Sequence, residues 1–302
     1  VETMDRESLR GLVSRHWPIL SISLVAFTLM AFGTWRVAPH LTIPDETGAL
    51  ERALSIGYER NFFIDDFKKG GNLHLYLLAA SFVPIVLWWV LSGQLGALLS
   101  GAGQLETTGW HVDSVLLSAF YDVMMAGRLL SVVFGVGAVI LVYLLARQLA
   151  NRIAGLYAGA TLAVSVGVVM AAHYATEDVP LLFFVLLTFL LAVKSLDSCN
   201  RRYLAATAFA MGLAVSTKAI VGILVVPVSL TILHFHRDDL ADPIAFVRQA
   251  WIYPVLSLVA YMGTTPSIIV HPGSWFDEVS RYFSAATGSG YSYEHPDPGW
   301  LI

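Results

Sequence analysis

Leu73-His74-Leu75-Tyr76-Leu77-Leu78-Ala79-Ala80-Ser81-Phe82-Val83-Pro84-Ile85-Val86-Leu87-Trp88-Trp89-Val90-Leu91 is the stretch on which the fold turns. With its continuation to Leu99 it is long and apolar enough to cross a bilayer, although Pro84, Gly93 and Gly96 break it. If it crosses, every later loop changes side, and the acidic pairs Asp45-Glu46 and Glu177-Asp178 lie at opposite surfaces. If it lies in the outer leaflet or re-enters, both pairs share one face. Basic residues decide between the two, because Lys and Arg collect in short cytoplasmic loops. In the non-crossing reading Arg6, Arg10, Arg15, Arg147, Arg152, Lys194, Arg201, Arg202, Arg237 and Arg248 are cytoplasmic, ten of the eighteen basic residues. In the crossing reading only Arg6, Arg10, Arg15, Arg128, Lys218 and Arg281 remain inside. The short loops Arg147–Arg152 and Lys194–Arg202 carry most weight, and they favour the non-crossing reading.

Composition sets the class. The chain has 302 residues, of which 56% are hydrophobic and 13% charged. Soluble domains carry roughly 25% charged residues, so a polytopic membrane protein is expected. One cysteine, Cys199, excludes an internal disulfide framework. A net charge of −4 without a basic tract gives nothing that points to nucleic acid. The first apolar run is long enough to span and no small-residue cleavage site follows it, so an uncleaved span is expected there. The chain opens at Val1 and stops at Gly299-Trp300-Leu301-Ile302, which reads as the start of another span and suggests the N-terminal part of a longer protein.

Outward from the deciding stretch, the expected architecture is an all-α transmembrane bundle of about seven spans. They fall at about 18–38, 128–146, 153–172, 179–193, 203–216, 219–235 and 249–270. The run 203–234 would be about 48 Å long as one helix, and basic residues flank both its ends, so it is expected to turn at Ser216-Thr217-Lys218. Residues 39–127 form the first external loop of a module covering 1–270, and 271–302 form a further external loop leading to the next span. Three arginines before the first span put the N-terminus in the cytoplasm. Within the loop, Leu50, Ala53, Leu54 and Gly57 recur at helical spacing, so Asp45 and Glu46 open a short amphipathic helix. Pro44 suits its first position, and Thr42 a capping box with Asp45. Pro180 suits the first turn of another helix, capped by Thr176 or Asp178. Trp35, Trp88, Trp89, Trp110 and Trp300 suit an aromatic belt.

Acids at a helix start complement the helix dipole, and alone they mean no more than that. Here they have company. A carboxylate within reach of an acceptor hydroxyl can take its proton during attack on a sugar carbon. Cations near a departing lipid phosphate stabilise it. Arg128 and Lys218 stand at the outer ends of spans, where ionisable groups mark function or simply snorkel to the headgroups. Glu177 and Asp178 could orient the base, cap a helix or hold a metal; Mg or Mn needs only one or two carboxylates plus phosphate. His111 and His271 stand alone and suit packing. The loop Gly288-Ser289-Gly290-Tyr291-Ser292-Tyr293-Glu294-His295 suits either a sugar-stacking cleft or a plain surface.

Five segments in order resemble the GT-C membrane glycosyltransferases of the family 39 type, which include protein O-mannosyltransferases and lipid A aminoarabinose transferases. The acidic pair after the first span resembles that family's first external loop. Asn72-Leu73-His74-Leu75-Tyr76-Leu77-Leu78 resembles the surface helix closing it, without the family's Pro-Pro. Arg128 with the run ending Tyr143-Leu144-Leu145-Ala146-Arg147 resembles the next span. Ala154-Gly155-Leu156 through His173-Tyr174-Ala175-Thr176-Glu177-Asp178-Val179-Pro180 resembles the following span and second loop. Gly212-Leu213-Ala214-Val215-Ser216-Thr217-Lys218 resembles the glycine-to-lysine turn. The resemblance covers about residues 15–270. It implies a polyprenyl-phosphate-linked sugar as donor, a lipid, glycan or protein acceptor, and inversion at the anomeric carbon. It implies Asp45 as catalytic base with Glu46 beside it. Arg128 and Lys218 would contact the lipid phosphate or position the loop, and Asp178, Glu177, His173 and His74 would support the site. A secondary transporter or flippase is the alternative, with the acids as coupling groups, and a non-catalytic scaffold is a third.

Overall fold

The computed structural model describes residues 6–35, 44–58, 62–63, 71–94 and 114–286, and among them every regular element is a helix. Thr42, Trp110, His111, Trp300 and the tyrosine-rich loop 288–295 lie outside the described residues. The helices are α1 (Arg6–Ala31), α2 (Pro44–Tyr58), α3 (Leu73–Leu91), α4 (Ser114–Leu149), α5 (Arg152–Ala163), α6 (Val166–Ala172), α7 (Asp178–Ser198) and α8 (Arg201–Thr217). A 3₁₀ turn, Ala219–Leu224, leads into α9 (Val225–Phe235), followed by α10 (Pro243–Ala250), α11 (Ile252–Thr264), α12 (Ser267–Val270) and α13 (Pro272–Ala286).

Local chemistry sets several of these ends. Asn151 caps α5 by accepting from the Ala154 amide, and Asn200 caps α8 by accepting from that of Arg202. Asp242 caps α10 through the amides of Ile244 and Ala245, with Pro243 at the first helical position. The chain reverses between α7 and α8 at Cys199, which takes the left-handed conformation (φ 48°).

Contacts at the two ends of the bundle fix the direction of each run. At one end His173 Nε2 lies 3.0 Å from the Phe32 carbonyl, Lys218 meets Asp178, and Ser216 lies 2.7 Å from Thr265. At the other, Gln148 donates to Asp197 at 2.7 Å, Arg201 donates to Gln249, and His236 lies 3.2 Å from the Tyr253 hydroxyl. Thus α1, α4, α5 with α6, α7, α8, α9 and α11 alternate in direction as seven antiparallel runs. Their inner faces close on small clusters, such as Ala26, Met30, Val132, Val139, Ala163 and Val179. Their outer faces leave Val133, Ile140, Leu230, Leu258 and Val259 exposed, an apolar surface suited to lipid rather than water. Close helix approach uses small residues, as in membrane bundles. A Cβ on Gly212 would stand 2.2 Å from the Ser257 carbonyl oxygen, so α8 and α11 touch backbone to backbone there.

Among the described residues four helices are long and apolar enough to cross a membrane: Leu73–Leu91, Ala119–Leu149, Asp178–Ser198 and Pro243–Thr264. A fifth is α5 with α6 if that bent pair is one span, and His16–Ala31 and Ala219–Phe235 are shorter apolar helices. The count by length is therefore below the expected seven. The physical reason is length and composition: α8 has 17 residues, opens on Arg201-Arg202 and is rich in Ala, and the apolar parts of α1 and α9 are short.

Other expectations shift in detail. The first helix ends at Ala31, well before residue 38, in a turn through Gly33. The segment 153–172 is not straight; it bends by 56° between α5 and α6, where Ser165 is extended. The N-cap of α7 is neither Thr176 nor Asp178 but Glu177, whose side chain makes no cap bond. Trp88 is exposed as expected, whereas Trp89 is buried and donates to Asp122 at 3.4 Å.

The deciding stretch, α3, does not run down the bundle. Its first turn meets the 173–177 loop, and its last turn meets Asp122, nearly two turns before Arg128 on α4. Leu78, Phe82 and Trp89 pack with Ala119, Val123 and Met124 of that same part of α4, and with Leu50 and Ala53 of α2.

Candidate functional site

The buried face of α2 begins with Glu46 and continues through Ala49, Leu50, Ala53 and Ile56, a helical period with a carboxylate where an apolar side chain would be usual. Glu46 is fully buried, and its partner is Arg128, also fully buried. Arg128 Nε donates to Glu46 Oε1 and Nη2 to Oε2, both at 2.8 Å, a two-pronged fork. Oε1 also accepts from the Ala175 amide at 2.9 Å. The remaining guanidinium nitrogen, Nη1, donates to the Thr34 carbonyl at 2.9 Å, and the guanidinium lies 5.6 Å from the Tyr174 ring centroid. Desolvating two charges is costly, and the cost is met only where geometry is good and the remaining polar atoms find partners. Here they do. One ion pair joins the turn after α1, the start of α2, the middle of α4 and the loop before α7. Gly127 makes the approach possible, since a Cβ there would stand 2.7 Å from the Ala175 side chain.

Asp45 comes one residue earlier, rotated about 100° around the helix, and it is exposed. The acidic pair expected to act together is thus divided into an inward member and an outward one.

Glu177 and Asp178 both reach Lys218, Glu177 Oε1 at 3.1 Å and Asp178 Oδ1 at 2.9 Å from Nζ. Lys218 caps the end of α8 with extended backbone, and Glu177 and Asp178 open α7, so the clasp ties the tops of adjacent antiparallel helices. Burial works against the Lys218 charge, but the bonds and charges of Asp178 and Glu177 outweigh it and push the amine up to about 12. His74 is buried on α3, its Nε2 3.3 Å from the Ala175 carbonyl. His173 is half-buried against the Phe32 carbonyl. Among the described residues no group of three His, Cys, Asp or Glu side chains is disposed to hold a metal ion.

All eight residues singled out in the sequence therefore sit at one end of the bundle. A second polar layer there went unread. The Asn72 amide donates to Thr265 Oγ1 at 3.2 Å and its side chain to Ser267 at 3.3 Å, while Thr264 donates to Ser216 at 2.9 Å. The signal was present as hydroxyl residues at the ends of two apolar runs, Ser216-Thr217 and Thr264-Thr265. Only their pairing in space distinguishes them from ordinary helix ends.

Residues 112–261, just under half of the chain, match the family model described as dolichyl-phosphate-mannose-protein mannosyltransferase. The matched stretch runs from α4 to α11 and includes Arg128, Glu177, Asp178 and Lys218, but not α2. It points to a membrane glycosyltransferase that uses a lipid-linked sugar. No curated protein matches the chain.

Proposed function

We propose that the chain is an integral-membrane glycosyltransferase of the family 39 type, which moves a sugar from polyprenyl phosphate to an acceptor hydroxyl at the external face. The observation that carries this reading is the convergence at one bundle end of Asp45-Glu46, Arg128, Glu177-Asp178 and Lys218, which come from four separate parts of the chain. Charges at the ends of helices favour a surface reaction over carriage, since transporters set such groups near the midplane. Three arginines in the polar first part of α1, Arg6, Arg10 and Arg15, support a cytoplasmic N-terminus, which leaves the charged cluster outside.

In the mechanism, exposed Asp45 accepts the proton of the acceptor hydroxyl. The acceptor oxygen bonds to the anomeric carbon as the bond from that carbon to the phosphate oxygen breaks, which inverts the centre. The electron pair leaves with polyprenyl phosphate, which gains one negative charge. Arg128 acts by holding Glu46, and through it the start of α2, at the site. Glu177 and Asp178 hold Lys218 at the rim, with His74 and His173 fixing the loop between α6 and α7.

The test is Asp45→Asn in a transfer assay with a polyprenyl-phosphate sugar. Turnover should fall about 10²–10⁴-fold while the melting temperature is unchanged. Near-normal turnover by the folded variant would end the assignment.

A further inference from the structure

Thr265 follows the last turn of α11 and is fully buried at the charged end of the bundle, yet it touches none of the acids or bases there named so far. Its hydroxyl accepts from the Asn72 amide at 3.2 Å and lies 2.7 Å from the Ser216 hydroxyl, so one oxygen joins the start of α3 to the end of α8. The Asn72 side chain adds a bond to Ser267 at 3.3 Å. Gly71 presses the same segment directly onto Ser216: a Cβ there would stand 2.3 Å from the Ser216 carbonyl oxygen, a closeness that needs glycine. Asn72, Ser216, Thr265 and Ser267 all have no exposed surface. Burying polar side chains is costly unless they are hydrogen-bonded, and apolar ones would join the helices at less cost. What a bonded layer adds is one fixed register, which apolar faces alone specify less sharply.

Both ends of this layer lead to the same loop. Two residues after Asn72, His74 meets the Ala175 carbonyl. Two residues after Ser216, Lys218 meets Glu177 and Asp178. Lys218 stands where α8 stops, on extended backbone (φ −159°, ψ 118°), so its place depends on how firmly the last turn of α8 is held. Helix ends open first unless other groups hold them. Of the two cations Arg128 and Lys218, only Lys218 keeps an exposed side chain, 24% against 0%. Resting on the function proposed above, we propose that Thr265, with Asn72, is a positioning residue of the site. Its hydroxyl locks the end of α8 to the start of α3, and thereby holds Lys218 where the phosphate of the lipid-linked sugar meets it.

Initial rates are measured with purified full-length protein in nanodiscs while the polyprenyl-phosphate sugar is varied. Lys218→Met should lower kcat/KM for this donor about tenfold or more. Thr265→Val keeps the shape and removes the hydroxyl, and should lower it about three- to tenfold. Thr265→Ser, which keeps the hydroxyl, should recover most of that loss. Because Thr265 acts through Lys218, adding Thr265→Val to Lys218→Met should cost nothing further. Ser216→Ala breaks the same link from the other side and replaces Thr265→Val if that variant does not fold; it too should be silent beside Lys218→Met. Losses that multiply in the double variants overturn the positioning role, as does wild-type kcat/KM in folded Thr265→Val, Ser216→Ala or Lys218→Met. Failure of both hydroxyl variants to fold overturns it as well, since the layer is then purely structural. All of these leave the glycosyltransferase reading in place, whereas a wild-type protein that transfers no sugar from polyprenyl phosphate overturns both.

Discussion

Glu46 has no exposed surface and accepts three hydrogen bonds, two from Arg128 and one from the Ala175 amide. Replacing it with Gln leaves Arg128 buried beside a neutral group, which typically costs about 3–5 kcal/mol. Glu46→Gln should therefore lower the melting temperature and shrink the yield of monodisperse protein, whereas Asp45→Asn, one residue away and exposed, should do neither. Lys218 gives a pH signature. Its amine is raised from 10.5 to about 12 in the folded protein, so the folded state holds the proton more tightly than the unfolded one. The stability this confers is complete below the ordinary amine value and is lost only as pH rises through the raised one. The melting difference between wild type and Lys218→Met should thus stay constant from about pH 7 to pH 10 and shrink above it. A difference that fades between about pH 7 and pH 9 would show that the clasp does not hold the proton. Neither partnership was legible from the residues alone. An acid next to an acid at a helix start looks the same whether it faces in or out. Only the position of Arg128 and the Ala175 amide separates Glu46 from Asp45.

The helices divide into those the apolar pattern reveals and those it obscures. The boundaries of α2 and α7 follow from Pro44 and Pro180, and the turn at Lys218 follows from a run too long for one crossing. The bend between α5 and α6 carries no proline, and nothing in its composition marks it. The packing of α8 on α11 was half legible: Gly212 stood out within a motif, but its contact with Ser257 required the partner helix. Gly212→Ala puts a Cβ against the Ser257 carbonyl oxygen and should destabilise the protein by about 1–3 kcal/mol. Gly263→Ala on α11 is the control, because nothing lies within 4 Å of its Cβ position. That change should be neutral or slightly stabilising, as Ala exceeds Gly in helix propensity by up to about 1 kcal/mol. Equal melting temperatures for the two variants would contradict the contact.

At the scale of the molecule, seven runs alternate in direction while α3 stays against the first part of α4, so the acids of α2 and of the loop before α7 share one end. The all-α class and the alternation were readable because apolar runs and basic loops are long-range patterns that survive local ambiguity. The number of helices able to cross by length alone was not, because Ala-rich α8 and short α9 depend on neighbours to stay buried. The most direct test of the account is sidedness. Native Cys199 is exposed at the end of the bundle opposite the charged cluster, and Glu51 is exposed on α2 beside that cluster. A membrane-impermeant thiol reagent applied to intact cells should label Glu51→Cys in a Cys199→Ser background and leave Cys199 of the unaltered protein unlabelled until the membrane is opened. Labelling of Cys199 from outside, or of both positions from the same side, would contradict the account.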